Sequence, residues 1–216
     1  MDGTEFRAAV EADAETRLRR LGSSQLLVGL TGAELTTEAV LDVAAASEHA
    51  ARETFRAWAA DESDPEVAAA FADVAEREDE HLERVLAAMP DGAAAEFDPG
   101  DDPGPMHAYL RGRESTVERL AAGTVGRSLV SLRAHTQVIS FFVNEADERR
   151  ADLFRELKAE TEAGMERGLG LLEARCADAD DEWDTARAAA GYVVRLAYDD
   201  YADAMAGLGL DVKVVC

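Results

Sequence analysis

Residues 48–81 read EHAARETFRAWAADESDPEVAAAFADVAEREDEH. The middle of this stretch, Ser63-Asp64-Pro65-Glu66, is a helix start. Ser or Asp can cap, Pro65 suits the first turn, and Glu66 lies three residues after Ser63. Helical spacing predicts one long helix over 36–61 and a second over 65–89, stopped by Pro90. Taken in alternating steps of three and four, the inner stripe of the first helix is Leu41, Ala44, Glu48, Ala51, Phe55 and Trp58. That of the second is Val67, Phe71, Val74, Glu78, His81, Val85 and Ala88. Both stripes are apolar except at Glu48, Glu78 and His81. Charged side chains are almost never fully buried without a partner, so these three positions are the informative anomaly.

Their spacing brings them together. Glu48 and Glu78 each lie 15 residues from Ser63. Antiparallel helices rise about 1.5 Å per residue, so the two carboxylates sit at one height. Glu78 and His81 are i, i+3 neighbours on one face. Two buried carboxylates repel unless one is protonated, and a divalent cation resolves the conflict. Carboxylate plus imidazole suits iron, manganese or zinc. The competing reading is a hydrogen-bonded Glu48–His81 pair at the core edge, with Glu78 partly solvated.

Working outward, residues 2–21 form an amphipathic segment with Phe6, Val10, Leu18 and Leu21 on one side, and 23–35 read as a loop or short turns broken by Gly29 and Gly32. Residues 90–105 hold four of the five prolines and make a long connection. A short helical piece follows over 106–122, then a break at Gly123 and Gly126. Third and fourth helices are expected over 127–144 and 147–175, joined tightly at 144–148. The acidic run 178–182 precedes a fifth helix over 182–206, with Trp183, Ala190, Val194, Tyr201 and Leu208 at helical spacing. The only candidate strand is the tail, 211–216. The expected fold is therefore all-α: one domain, 1–216, comprising an N-terminal helix and linker (1–35), an antiparallel four-helix bundle with one long crossover (36–175) and a C-terminal helix (182–209).

Composition narrows the function classes. The net charge is −23 and hydrophobic residues make up 47%, enough for a real core. So acidic a surface repels phosphate, which argues against nucleic acid and anionic membrane as partners. There are 20 Arg but only two Lys, Lys158 and Lys213. Heavy Asp/Glu with scarce Lys suggests a halophilic protein, because molar salt shortens the Debye length to about 3 Å and screens self-repulsion. No apolar run reaches the ~20 residues of a membrane span, and the first residues show no signal peptide. Cys176 and Cys216 form no C-x-x-C pair. The expected setting is a high-salt cytoplasm.

From Glu48 to His81 the chain resembles the ferritin-like superfamily, and its rubrerythrin branch in particular. Such a hairpin gives one Glu from its first helix, then aromatic residues, then E-x-x-H on its second. The resemblance implies a four-helix bundle that binds two metal ions and reacts with peroxide, dioxygen or ferrous iron. It also implies a second ligand set on the other hairpin, and that set is missing. Adding 83 aligns Phe71 with Phe154, Val74 with Leu157, Leu82 with Met165 and Leu86 with Leu169. Glu48 then falls on Ser131, Glu78 on Thr161 and His81 on Gly164. His135 and Glu160 are the other candidates close by. No rubredoxin-like pair of C-x-x-C motifs is present.

Two functions are carried forward. The first is a metal-binding, rubrerythrin-like protein with a partial iron site at Glu48, Glu78 and His81, redox- or peroxide-related. A homodimer that pairs two half-sites is a variant of it. The second is a bundle that kept the fold and lost catalysis, serving as a binding or scaffold protein for an unknown protein partner. Catalytic residues and substrate are not identified. His49 reads as surface, Phe55, Trp58 and Tyr201 as core, and Phe141 and Phe142 as filling the volume of the missing ligands. His107 reads as unpaired and Cys176 as an unreactive thiol.

Overall fold

The computed structural model describes residues 1–176 and 180–212, and among them every regular element is a helix. Helix α1 (Gly3–Asp13) starts with a capping box, the Asp2 side chain on the Glu5 amide and the Glu5 side chain on the Asp2 amide. It turns at Ala14 into α2 (Glu15–Leu21), so the expected 2–21 segment is two helices, with Phe6, Val10, Leu18 and Leu21 all buried. The expected loop at 23–35 contains a further helix, α3 (Gln25–Leu30). Gly29 does not break it. Instead it lets α3 press on Tyr201, whose ring would stand 2.8 Å from an added Cβ. The turn comes after it, where Gly32 and Ala33 take positive φ.

Two long hairpins follow. Helix α4 (Thr37–Asp61) is capped by Thr36, and α5 (Pro65–Ala87) by Asp64, whose carboxylate accepts from the Glu66 and Val67 amides. The turn between them is clamped from outside. Glu62 accepts from Thr116 Oγ1 at 2.9 Å and Arg119 Nη1 at 3.3 Å, and Arg119 Nη2 donates to Asp61 at 2.6 Å. The proline-rich connection carries a single turn of helix, α6 (Ala93–Glu96), and then α7 (Gly104–Arg111).

The expected break at Gly123 and Gly126 is absent. Helix α8 (Thr116–Arg119), a π-helical segment (Leu120–Gly126) and α9 (Arg127–Asn144) run on continuously. The glycines serve close approach. A Cβ on Gly123 would lie 2.4 Å from the Trp58 ring, and one on Gly126 would lie 2.7 Å from the Ala190 carbonyl. The chain breaks earlier, at Gly112 after α7. Helix α10 (Glu148–Cys176) completes the second hairpin, its first turn capped by Asp147 on the Arg150 amide.

Helix α11 (Asp180–Gly207) begins two residues earlier than expected and buries Trp183, Ala190, Val194 and Tyr201. Leu208 does not join them and is exposed. Of the expected tail strand, Asp211 and Val212 carry no strand and 213–216, with Cys216, lie outside the described residues. So do 177–179 of the acidic region. Among the described residues no helix is long and apolar enough to cross a membrane.

The buried apolar side chains fall into two clusters. One, near the α4–α5 turn, includes Phe55, Trp58, Val67, Phe71, Leu129 and Met165, with the Phe55, Trp58 and Phe71 rings 5.2–5.8 Å apart. The other includes Leu41, Val85, Val138, Phe142, Phe154 and Leu157. Each of α4, α5, α9 and α10 brings buried polar residues to the level where the clusters meet: Glu48, then Glu78 and His81, then Ser131 and His135, then Thr161. A polar layer thus divides the core at mid-height.

Candidate metal centre

Glu48 comes from α4, and Glu78 and His81 from α5, one turn apart. Each offers one ligand atom within 4.8 Å of the others, and all three residues are at most 3% exposed. The equal count from Ser63 therefore does bring the two carboxylates to one height. His81 Nδ1 stands 3.7 Å from Glu48 Oε2 and 3.8 Å from Glu78 Oε2, beyond hydrogen-bonding distance. Metal–ligand bonds of about 2.1 Å at angles of 110–120° would hold two donors roughly 3.4–3.6 Å apart.

Two of these atoms, Glu78 Oε2 and His81 Nδ1, are buried without a hydrogen-bond partner. Buried polar atoms in folded proteins are nearly always paired, and one divalent cation would satisfy both of these. The other imidazole nitrogen is engaged. His81 Nε2 meets Glu160 Oε2 at 2.7 Å, and Arg84 holds the same carboxylate at 3.1 and 3.2 Å. A proton on Nε2 donated to Glu160 leaves the Nδ1 lone pair facing Glu48 and Glu78, the tautomer a metal ligand needs.

The second hairpin supplies no matching ligands, but it is not inert. Thr161 is buried and its hydroxyl donates to the Leu157 carbonyl. His135 Nε2 lies 3.2 Å from Glu48 Oε1. The residue missed by the sequence reading is Arg127. It enters the polar layer from the first turn of α9 and donates from Nη2 to Glu78 Oε1 at 2.6 Å, with both side chains buried. Its guanidinium stacks 5.3 Å from the Phe55 ring. The signal was present in the sequence. Positions 127, 131, 135, 138 and 142 form one helical stripe, but a helix taken to start at 127 after a glycine break hid its first member. The π segment ahead of it is a local change of winding of the kind found at functional sites.

The electrostatics follow from burial and crowding. Burial, and then the charge of Glu48, push the Glu78 carboxyl up to about 8, although Arg127 pulls it down. Burial would also raise Glu48, but the Glu78 carboxyl, His135 and His81 around it hold it well below the usual range. Crowding thus drives the two carboxylates apart in proton affinity, Glu78 upward and Glu48 downward. Burial depresses His81, and the carboxylates of Glu48, Glu78 and Glu160 outweigh it and raise the imidazole.

The remaining candidates are placed as follows. His49 is half-buried, and its Nδ1 lies 3.0 Å from Arg52. His107 is not unpaired. The loop 99–105 and α7 fold back on α4, and the Thr54 hydroxyl, which donates to Ala50 and accepts from Arg111, meets His107 Nδ1 at 3.0 Å. Burial, helped by Arg127 and Arg111, pushes His107 down to about 3. Phe142 is buried in the second cluster with Phe141 packed against it. Cys176 is buried, and burial lifts its thiol to about 11, which disfavours the thiolate.

Set against known proteins, the chain matches no protein-family model, no curated protein and no solved structure.

Proposed function

We propose that the chain is a ferritin-like, rubrerythrin-related four-helix bundle forming one domain, which binds a single divalent transition metal, iron foremost and manganese or zinc as substitutes. Glu48, Glu78 and His81 hold the ion, and Glu160 orients His81. One observation carries the reading: from a single hairpin, three buried donors converge, and two of their atoms have no hydrogen-bond partner. When bound, such a metal supplies redox or Lewis-acid chemistry toward a small oxidant such as peroxide. Arg127 takes Glu78 Oε1, leaves Oε2 for the ion, and puts fixed positive charge where a second ion would need ligands. This favours one ion per chain over the family's two. The acidic surface fits a high-salt cytoplasm.

A second reading has its own support. Arg127 and a protonated His81 together neutralise Glu48 and Glu78 without metal, as expected of a bundle retained only for binding or scaffolding. Metal analysis of protein purified in high salt without chelator separates the two. The metal reading expects about one iron, manganese or zinc per chain, lost in Glu48→Ala. Metal-free protein whose unfolding is unchanged by chelator or added metal supports the scaffold instead.

A further inference from the structure

Beside the polar layer lies an apolar pocket of about 160 Å³. It occupies the gap between α4 and α9, one helix from each hairpin, and α3, α7 and α11 close it in. Leu26, Leu30, Val40, Val130, Ala134 and Val138 make most of its wall, and no Lys or Arg lines it. Leu30, Ser47 and Asp200 are exposed and mark its mouth, whereas Glu48 and His135 are buried and mark its floor. The four long helices alone do not build this pocket. Helices α3 and α11, added on either side of them, complete it.

The geometry points to a binding site for a small uncharged and mostly apolar molecule, of benzene to phenol size, whose inner end lies against Glu48 and His135. The volume sets the size, since an apolar cavity of about 150 Å³ holds benzene. The charges set the class. Acidic groups at mouth and floor repel an anion, and a cation would shed its water along the apolar wall to reach a Glu48 carboxylate already engaged by His135. Of the polar residues on the floor, His135 has a buried Nδ1 without a partner, which a ligand hydroxyl would satisfy. The site also deepens the metal reading, because its floor is one of the proposed ligands. That role rests on the metal reading, and the binding itself does not.

The test is ¹⁹F NMR of the full chain in high salt with fluorobenzene, 4-fluorophenol and 4-fluorobenzoate. Saturable binding of the two neutral probes at one site per chain is expected, at least tenfold tighter than the benzoate. Ala134→Phe fills the pocket and should weaken both neutral probes at least tenfold. Ala44→Leu, a smaller intrusion on the α4 wall, serves if the first variant loses its helical signal. No saturable binding of either neutral probe, equal binding of the benzoate, or binding unchanged in a folded filled variant overturns the proposal. Co²⁺ addition separates the two readings. A chain that binds fluorobenzene but no Co²⁺ loses the metal reading and keeps the pocket. Co²⁺ uptake without fluorobenzene binding does the reverse.

Discussion

The two long hairpins meet the polar layer with opposite chemistry. Helices α4 and α5 bring two carboxylates and an imidazole, all buried. Helices α9 and α10 bring Ser131, His135, Thr161 and Arg127, of which Arg127 adds a permanent positive charge. The first hairpin brings the negative charge, and the second supplies a counter-charge rather than a mirror copy. A helical frame can keep its register while the charge at one level inverts, because the packing depends on the apolar clusters above and below that level.

The strongest way to break the comparison is to remove the charge that joins the halves. Glu78→Leu leaves Arg127 buried and unpaired, which costs about 3–5 kcal/mol. Glu78→Leu with Arg127→Met replaces the whole pair by apolar packing and should return the stability to near that of the parent, or above it. Guanidinium unfolding in the presence of chelator measures both. If the single variant is as stable as the parent, Arg127 is not held by Glu78.

A second way is to make the hairpins alike. Thr161 occupies the place on α10 that Glu78 holds on α5, and it is buried. Thr161→Glu with Arg127→Leu exchanges the positive charge for a third carboxylate. The variant should be unstable in chelator and should take up a second ion when metal is supplied. An ion bound at a hundredfold excess over its Kd contributes about 2.7 kcal/mol. Metal per chain and the metal-dependent rise in unfolding midpoint are the readouts. A variant that still takes one ion or none shows that the second hairpin lacks more than charge.

What the sequence made legible divides along the same line. The first hairpin could be read to within two residues at its ends, because Thr36, Asp64 and Pro65 mark its helix starts and its apolar stripes are interrupted only at Glu48, Glu78 and His81. On the second hairpin the helices and the want of Glu or His at the matching positions 131, 161 and 164 were readable, but Arg127 was not. Two glycines read as a break because glycine is a poor helix former, yet here each is dictated by a neighbour, Trp58 or Ala190, distant in sequence. The same cause hid α3, whose Gly29 answers to Tyr201, and the partner of His107, which α7 brings to α4 from 53 residues away. Long-range contacts that replace a side chain with a neighbour leave no periodic trace.

Acid sharpens the contrast between His81 of the first hairpin, raised by carboxylates, and His107 of α7, held down to about 3 by burial. Between pH 6.5 and 4.5 the unfolded chain protonates His107 and the folded chain does not. The unfolded state then binds more protons, so this group lowers stability as pH falls, by about 1.4 kcal/mol per unit. Glu78, pushed up to about 8, slopes the other way over the same range, because there the folded state holds the extra proton. It does so equally in a His107→Gln variant. The difference between variant and parent therefore isolates His107: constant above pH 6.5 and shifting in favour of the variant below it. A difference that stays flat to pH 4.5 would mean that water reaches His107.

The smallest expected effect lies in the turns that make the two hairpins. The first turn uses no positive φ outside glycine and is clamped by Arg119. The second places Ala146 at φ 57 in an exposed position, with its amide and that of Asp147 closing the end of α9 onto Val143 and Phe142. The left-handed region costs a residue with a Cβ about 1–2 kcal/mol. Glycine removes that strain but adds roughly 0.4–1 kcal/mol of unfolded-state freedom. Ala146→Gly should therefore stabilise the chain by about 0.5 kcal/mol, a Tm rise of about 1–2 °C at this size. Ser63→Gly in the first turn gains no strain relief and should lower stability by about the unfolded-state amount alone. Opposite signs from one substitution type at two equivalent turns, with metal content unchanged in both, would place the asymmetry in the backbone as well as in the charges. Equal signs would confine it to the polar layer.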